Sequence, residues 1–479
     1  MNYSIIRYIL CWVLEFQALF LALPCIVAAC YGEKQGWMFL FVAVGCFAIG
    51  ALGRLKKAKS DVFYAREGFV TVSLSWIIMS LTGALPFFLT GEFDTYTDAL
   101  FETISGFTTT GASILSDVEA LSRCTMFWRC FTHWIGGMGV LVLILAVLPL
   151  AGGYNMYLMR AESPGPTVGK LVPRVRHTAR ILYEMYVLMT IVEIITLLLA
   201  GMPLYDSITL SFGTAGTGGF GLLNTGAAEY TATVQIILTV FMILFGINFN
   251  VYFLVRERKG LAALKHEEMR YYLGVIAVAI LLITVNVREF FTTIGETVRH
   301  VAFQVASIIT TTGFSTTDFN KWPEFSKFIL VMLMFVGACA GSTGGGIKIS
   351  RVMIMAKLAK NEFSHLIHPK RVRQISLEKH VVNKETLRSI SVFFIAYTFI
   401  YATSVLLISL DNLDFTTNFT AVAATLNNIG PGLGMVGPTS NFSVYSDPAK
   451  YVLMFDMLAG RLELFPMLLL FAPSTWKRN

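Results

Sequence analysis

The strongest constraint on this chain is a short phrase written four times between long apolar runs. The first copy reads Gly106-Phe107-Thr108-Thr109-Thr110-Gly111-Ala112-Ser113, and the third reads Ile309-Thr310-Thr311-Thr312-Gly313-Phe314-Ser315. The second, Gly216-Thr217-Gly218-Gly219-Phe220-Gly221, keeps the central glycine and the aromatic; the fourth, Ile429-Gly430-Pro431-Gly432-Leu433-Gly434, keeps glycines without hydroxyls. Aligned on Gly111, Gly219, Gly313 and Gly432, the copies recur about every hundred residues, an internal fourfold repeat. One such string alone would be turn punctuation. Four in register fit main-chain carbonyls that point into a narrow axis and replace the water around a cation, a conformation that glycine adopts without a Cβ penalty.

Composition decides where such a repeat can sit. Of 479 residues 55% are hydrophobic and 14% charged, with a mean hydropathy of +0.65. Soluble domains carry about a quarter charged residues, so the chain belongs in a bilayer. Its net charge of +7 comes from Lys and Arg gathered on one side of the spans. That is a positive-inside bias and not a nucleic-acid-binding face. Seven cysteines, odd in number and almost all in apolar segments, form neither a disulfide framework nor a zinc spacing.

In chain order, the apolar run 5–31 is too long for a signal-peptide core and is followed by a second span at 37–52. Arg54, Lys56, Lys57, Lys59 and Arg66 mark a cytoplasmic loop, which puts both termini inside. After an outer span at 69–89 and the acidic Glu92, Asp94 and Asp98, the segment 97–105 is too short for a hydrocarbon layer of about 30 Å. It reads as a re-entrant half-helix whose C-terminal end brings about half a negative charge toward the axis. Inner spans are expected at 127–150, 234–255 and 451–471, and further outer spans at 181–200, 271–287 and 390–410. Basic loops intervene, with Arg160, Lys170, Arg174, Arg176 and Arg180 in one and Arg256, Arg258, Lys259, Lys265 and Arg270 in the next.

The expected fold is therefore an all-α integral membrane protein with ten transmembrane helices. Four pseudo-symmetric helix/pore-loop/helix repeats surround one central pore, preceded by two N-terminal helices. The boundaries fall at 1–67 for the extension and at 68–160, 161–260, 261–365 and 366–479 for the repeats.

The third inner segment is interrupted by Gly337-Ala338-Cys339-Ala340-Gly341-Ser342-Thr343-Gly344-Gly345-Gly346. Non-helical backbone at membrane depth is tolerated only where protein buries it or a watery cavity accepts it. The loop is expected beneath the ring as a movable gate, the alternative being a glycine-rich kink without a role. Arg461 lies inside the fourth inner span, where a charge must face a cavity or a partner. It either pins loop carbonyls beside the pore or pairs with Glu463 or Asp456. Lys348 and Arg351 either share that task or act as positive-inside anchors, while Arg129, His133 and Glu15 read as buried, partnered helix residues.

The loops TTTGAS, GTGGFG, TTTGFS and NNIGPGLG, the run GACAGSTGGGIK and the late GRLELFP resemble the TrkH/KtrB/HKT superfamily of potassium transporters over nearly the whole chain. With its two leading helices the chain is most similar to the bacterial TrkH branch. The resemblance implies K+ as substrate, held by main-chain oxygens at Thr109, Thr110 and Gly111, at Thr217, Gly218 and Gly219, at Thr311, Thr312 and Gly313, and at Gly430, Pro431 and Gly432. It implies an intramembrane gate of Gly341, Ser342, Thr343, Gly344, Gly345 and Gly346, with Lys348 and Arg461 against it. It further implies a lipid-embedded homodimer in the bacterial cytoplasmic membrane, on a cytosolic TrkA-type nucleotide-binding ring, with no cofactor in this chain. Ala112 stands where two sibling loops have Phe, and Gly218 where two have Thr, but main-chain chemistry tolerates both. In the plant relatives a serine in place of the first-loop glycine goes with sodium preference, so Gly111 favours K+.

Conduction down the electrochemical gradient suffices for uptake. A membrane potential supplies about 2.3 kcal/mol per unit charge per 100 mV, which concentrates K+ more than tenfold without ATP. K+/Na+ or K+/H+ symport is the alternative, and it would need an intramembrane carboxylate relay for which the spans offer few candidates. A membrane enzyme would need clustered acid–base residues, yet the histidines lie mostly in basic loops and no HExxH string is present. No enzymatic activity is expected.

Overall fold

Run length decides which apolar segments become full spans and which stop partway. The computed structural model describes residues 1–56, 64–139, 175–257, 260, 263, 265–368, 374–378 and 380–476. Helices α1 (Tyr3–Tyr31) and α2 (Gly36–Leu55) form a hairpin that turns at Gly32, whose φ is 71°. A group of three follows, α3 (Ala65–Leu89), α4 (Tyr96–Phe107) and α5 (Arg123–Gly137). The next is α6 (Val175–Leu199), α7 (Leu204–Gly216) and α8 (Ala232–Phe245), extended by α9 (Phe249–Arg256). Then come α10 (Glu267–Asn286), α11 (Ile294–Ile309), α12 (Glu324–Val336) and α13 (Ile349–Ile367). A small departure from the all-helical expectation follows: β1 (Ser376–Leu377) pairs antiparallel with β2 (His380–Val381). The last group is α14 (Lys384–Ile408), α15 (Phe415–Leu426), α16 (Asp447–Arg461) and α17 (Phe465–Phe471).

Among the described residues, α1, α2, α3, α6, α10 and α14 are the six helices long and apolar enough to cross a bilayer, with a seventh if the bent pair α8 and α9 counts as one. Helices α4, α7, α11 and α15 have 12 to 16 residues. At about 1.5 Å per residue they fall short of the roughly 30 Å layer. Three of these short helices start on a side-chain cap, from Thr95 to the Asp98 amide, Thr293 to the Glu296 amide and Asp414 to the Thr417 amide. Each cap satisfies one orphan donor of the first turn. Burial separates the two classes: every residue of α4 from Ala99 on is buried, whereas α2 and α14 bury only 28% of their apolar stretch and leave the rest open.

Packing between groups closes a cycle. Helix α5 lies on α7, α8 on α11, α12 on α15, and α16 on α4, while α1 rests on α2, α3 and α5. Each short helix is thereby wrapped by neighbours, and the four C-terminal ends converge.

The inner segments differ from the unbroken spans expected at 234–255 and 451–471. Helix α8 stops at Phe245 and the chain bends by 90° into α9. There the Asn248 side chain accepts from the Asn250 amide at 2.9 Å and starts the new helix. Helix α16 stops at Arg461; Glu463 and Leu464 take left-handed φ of 58° and 67°, and Pro466 opens α17. Proline lacks only an N–H that the first turn leaves unbonded anyway. Interruption is thus shared by these inner segments and is not special to the third. The rest of the first inner span, 140–150, lies outside the described residues, as do Lys57, Lys59, Arg160, Lys170, Arg174, Arg258 and Lys259.

Candidate functional site

Each short helix ends in the same way. Thr109, Thr217, Thr311 and Asn428 take φ of 54°, 54°, 59° and 55°, and two residues later Gly111, Gly219, Gly313 and Gly430 take 79°, 75°, 88° and 99°. The residue between them donates its amide five positions back, Thr110 to Ser105 at 2.9 Å, Gly218 to Gly213, Thr312 to Ser307 and Ile429 to Ala424, each at 2.8 Å. These bonds satisfy the last helix carbonyls, as left-handed C-caps generally do. A β-branched residue in the left-handed region costs about 1–3 kcal/mol and persists only where its surroundings over-determine it.

The shared backbone corrects one register. Gly430, not Gly432, is the counterpart of Gly111, and Asn428 is the counterpart of Thr109. Gly432 lies beyond the turn, where its amide donates to the Val436 carbonyl at 2.7 Å. Gly-Pro-Gly offers two glycines to an alignment, and only the backbone distinguishes them.

The four glycines mesh around a closed circuit. A Cβ on Gly111 would overlap the Gly218 carbonyl oxygen, one on Gly219 the Thr312 oxygen, and one on Gly313 the Ile429 oxygen; one on Gly430 would sit 2.8 Å from the Thr110 oxygen. Each loop therefore presses on the next, and the fourth returns to the first. Among the described residues, no hydrogen bond ends on the carbonyls of 109–111, 217–219, 311–313 or 428–430. The Thr109 hydroxyl is buried and unpartnered as well. A cavity of about 220 Å³ opens on the outer side of the circuit, lined by Gly111, Gly219, Gly313 and Gly430 together with Ser113 and Arg129.

Buried side chains hold this circuit from outside. Arg129 and Glu102 pair at 2.6 Å, 2% and 0% exposed. Arg129 also donates to the Gly221 carbonyl at 3.0 Å, and its guanidinium sits 3.7 Å from the Phe220 ring centroid. Glu102 accepts from Ser113 and from the Ile114 amide. His133 bridges the Gly106 carbonyl and the Phe220 amide. Asn428 donates to the Thr110 hydroxyl at 3.0 Å and to the Met457 carbonyl at 2.9 Å. Away from the circuit, within the α1–α2 hairpin, the half-buried Glu15 pairs with Arg54 at 3.2 Å. Their place inside apolar runs pointed to buried, partnered Arg129, His133 and Glu15, of which Glu15 is only half-buried; Glu102 carries no signal outside the fold, and Asn428 only its place in the string NNIGPGLG.

The loop between α12 and α13 lies against the inner side. Gly345 donates its amide to the Thr311 hydroxyl at 2.6 Å, and a Cβ there would come within 2.7 Å of the Asn427 carbonyl. The loop closes on itself, since a Cβ on Gly346 would stand 3.5 Å from Gly337 Cα. Arg461 donates to the Thr343 carbonyl at 2.9 Å and to the carbonyls of Gly136 and Gly137 at 2.6 and 2.7 Å. Lys348 donates to the Gly344 carbonyl and is only 2% exposed, so it is no surface anchor. Glu463 pairs with Arg351, and Asp456 accepts from the Ser404 hydroxyl. Buried carboxylates are also more numerous than the sequence suggested: Glu193 and Asp456 are each 0% exposed.

Comparison with known proteins gives the family of the chain. The TrkH family model, described as a cation transport protein, matches residues 38–478. The Trk system potassium uptake protein TrkH of Salmonella typhimurium is 36% identical over 95% of both chains, and TrkG of Escherichia coli is 35% identical over 95% of this chain and 94% of its own. The crystal structure of the potassium transporter TrkH from Vibrio parahaemolyticus superposes with a TM-score of 0.89 at 31% identity, covering all of both chains. By name these relatives are potassium uptake proteins, transporters and not enzymes. The chain belongs to the TrkH family of cation transport proteins.

Proposed function

We propose that this chain takes up K+ through the centre of the four-loop circuit. The observation that carries the reading is the mutual contact of four left-handed glycines beside carbonyls that no protein donor among the described residues occupies. Such oxygens replace a cation's hydration shell, and four helix C-termini add negative potential at the same point. Potassium is the cation because relatives over nearly the full chain are named for its uptake.

The filter consists of the main-chain oxygens at 109–111, 217–219, 311–313 and 428–430, with Pro431 and Gly432 on its outer rim. Four repeats bounded at 68–160, 161–260, 261–365 and 366–479, with broken inner helices, and the two-helix extension 1–67 account for ten spans. The loop 337–347, pinned by Arg461 and Lys348, blocks the path below. The protein works as a homodimer in the bacterial cytoplasmic membrane, termini inside, opened by a TrkA-type ring acting on the cytosolic face. K+ moves down its electrochemical gradient.

Radiolabelled Rb+ uptake into proteoliposomes tests the filter. Gly430→Ala abolishes uptake because a Cβ there is strained at a φ of 99° and stands 2.8 Å from the Thr110 carbonyl of the first loop, whereas Gly432→Ala, outside the left-handed region and crowded only within its own loop by Thr420 and Val436, reduces it less. Equal losses in the two variants would refute the assigned register, and full activity in Gly430→Ala would refute the filter.

A further inference from the structure

Besides the Gly345 bond to Thr311, charged side chains hold the loop 337–347 at two places, and the cations account for only one. Arg461 and Lys348 take carbonyls of its second half, at Thr343 and Gly344. Its first half offers a buried amide instead, and a carboxylate meets it: Glu268 Oε1 accepts from the Ala340 N–H at 2.7 Å. Glu268 is 3% exposed, and its other oxygen accepts from the Asn248 side-chain amide at 3.2 Å. Asn248 belongs to the break between α8 and α9, which binds the same half of the loop through Cys339 N–H to the Gly246 carbonyl and Phe249 N–H to the Gly341 carbonyl. A first-turn glutamate ordinarily serves its own helix. Glu67 does so at α3, accepting from the Tyr64 amide, whereas Glu268 reaches out of α10 to another element.

We propose that Glu268 is a positioning residue that fastens the first half of the loop, so that opening requires the Glu268–Ala340 hydrogen bond to part. The inference rests on the reading of the loop as the block in the pore. It also supplies a route from the cytosolic face. Glu378, in the turn between β1 and β2, accepts the backbone N–H of Glu268 at 2.9 Å and lies 3.0 Å from His266 Nδ1. A pull on this hairpin therefore acts on the residue that holds the loop. Charged acceptors make hydrogen bonds stronger than neutral ones, and their loss leaves a buried donor unpaired.

The test uses the full chain in proteoliposomes. Glu268→Ala raises the initial rate of Rb+ uptake by about tenfold without changing the preference for Rb+ over Na+, because only the loop is released. Glu268→Gln keeps an acceptor for Ala340 and stays within about twofold of the parent. Cys339, 0% exposed and adjacent to Ala340, provides a second reading. With the other cysteines replaced by Ser, it reacts faster with a charged methanethiosulfonate in Glu268→Ala, and in Glu268→Asp should Ala fold poorly. Unchanged uptake and labelling in a folded Glu268→Ala or Glu268→Asp protein overturn the inference if deletion of 344–346 still raises uptake. If that deletion also leaves uptake unchanged, the reading of the loop as a block fails instead.

Discussion

The four-loop circuit and the loop beneath it are both glycine-rich, but they differ in what touches their backbones. The circuit is built from main chain: left-handed C-caps, amides bonded five residues back, and glycines seated against the next loop's carbonyl. The lower loop has main-chain bonds to the α8–α9 break as well, but it adds three charged side chains, Arg461, Lys348 and Glu268, each bonded to its backbone. Side-chain clamps can release one at a time, which suits a part that moves.

The largest effect follows from removing the frame around the circuit. Arg129→Ala leaves Glu102 buried and unpaired, a change that costs about 3–5 kcal/mol. Thermal unfolding of the purified protein should drop by many degrees and uptake should vanish; an unshifted midpoint would remove the pair from the frame. Next comes the clamp. Arg461→Ala loses bonds to three carbonyls at once and should speed Rb+ uptake by about tenfold while leaving ion preference intact. A change in preference with no gain in rate would mean that the two regions are not separable.

A smaller effect is expected at Asn428. Asn428→Thr copies the residue of the sibling loops but loses the bonds to Thr110 and Met457, about 1 kcal/mol that should appear as a few-fold change in the Rb+/Na+ uptake ratio. An identical ratio would show the four loops to be interchangeable at this position. The smallest effect belongs to the α15 cap. Thr417, through its hydroxyl and then its amide, holds the Asp414 carboxyl below the usual carboxylate range. The cap therefore stabilises the fold above the ordinary carboxylate pKa and is lost as pH falls through the lowered value. Asp414→Ala should cost about 1 kcal/mol at neutral pH, and the gap in thermal midpoint should close in acid.

Much of this was legible because local chemistry repeats. Threonine and glycine at fixed offsets marked three of the loops, and run length separated α4 from α3. The fourth register was not legible, because Gly430 and Gly432 are equally permissive and only Asn428, a residue that tolerates left-handed backbone, distinguishes them. The break after α8 is hidden by hydropathy that continues through Gly246 and Ile247, and that after α16 by the apolar run that resumes at Leu464 after Arg461 and Glu463; Asn248 and Pro466 are their signals. Glu102 meets Arg129 only once α4 and α5 have folded against one another, and spacing in the sequence does not encode such a meeting.

Because all four quadrants of the circuit come from one polypeptide, each can mutate alone. An assembly of identical subunits must accept any change four times over. Here Asn428 already differs from Thr109, Thr217 and Thr311 while the mutual seating of the glycines is kept, so the proposed filter can be tuned a quarter at a time.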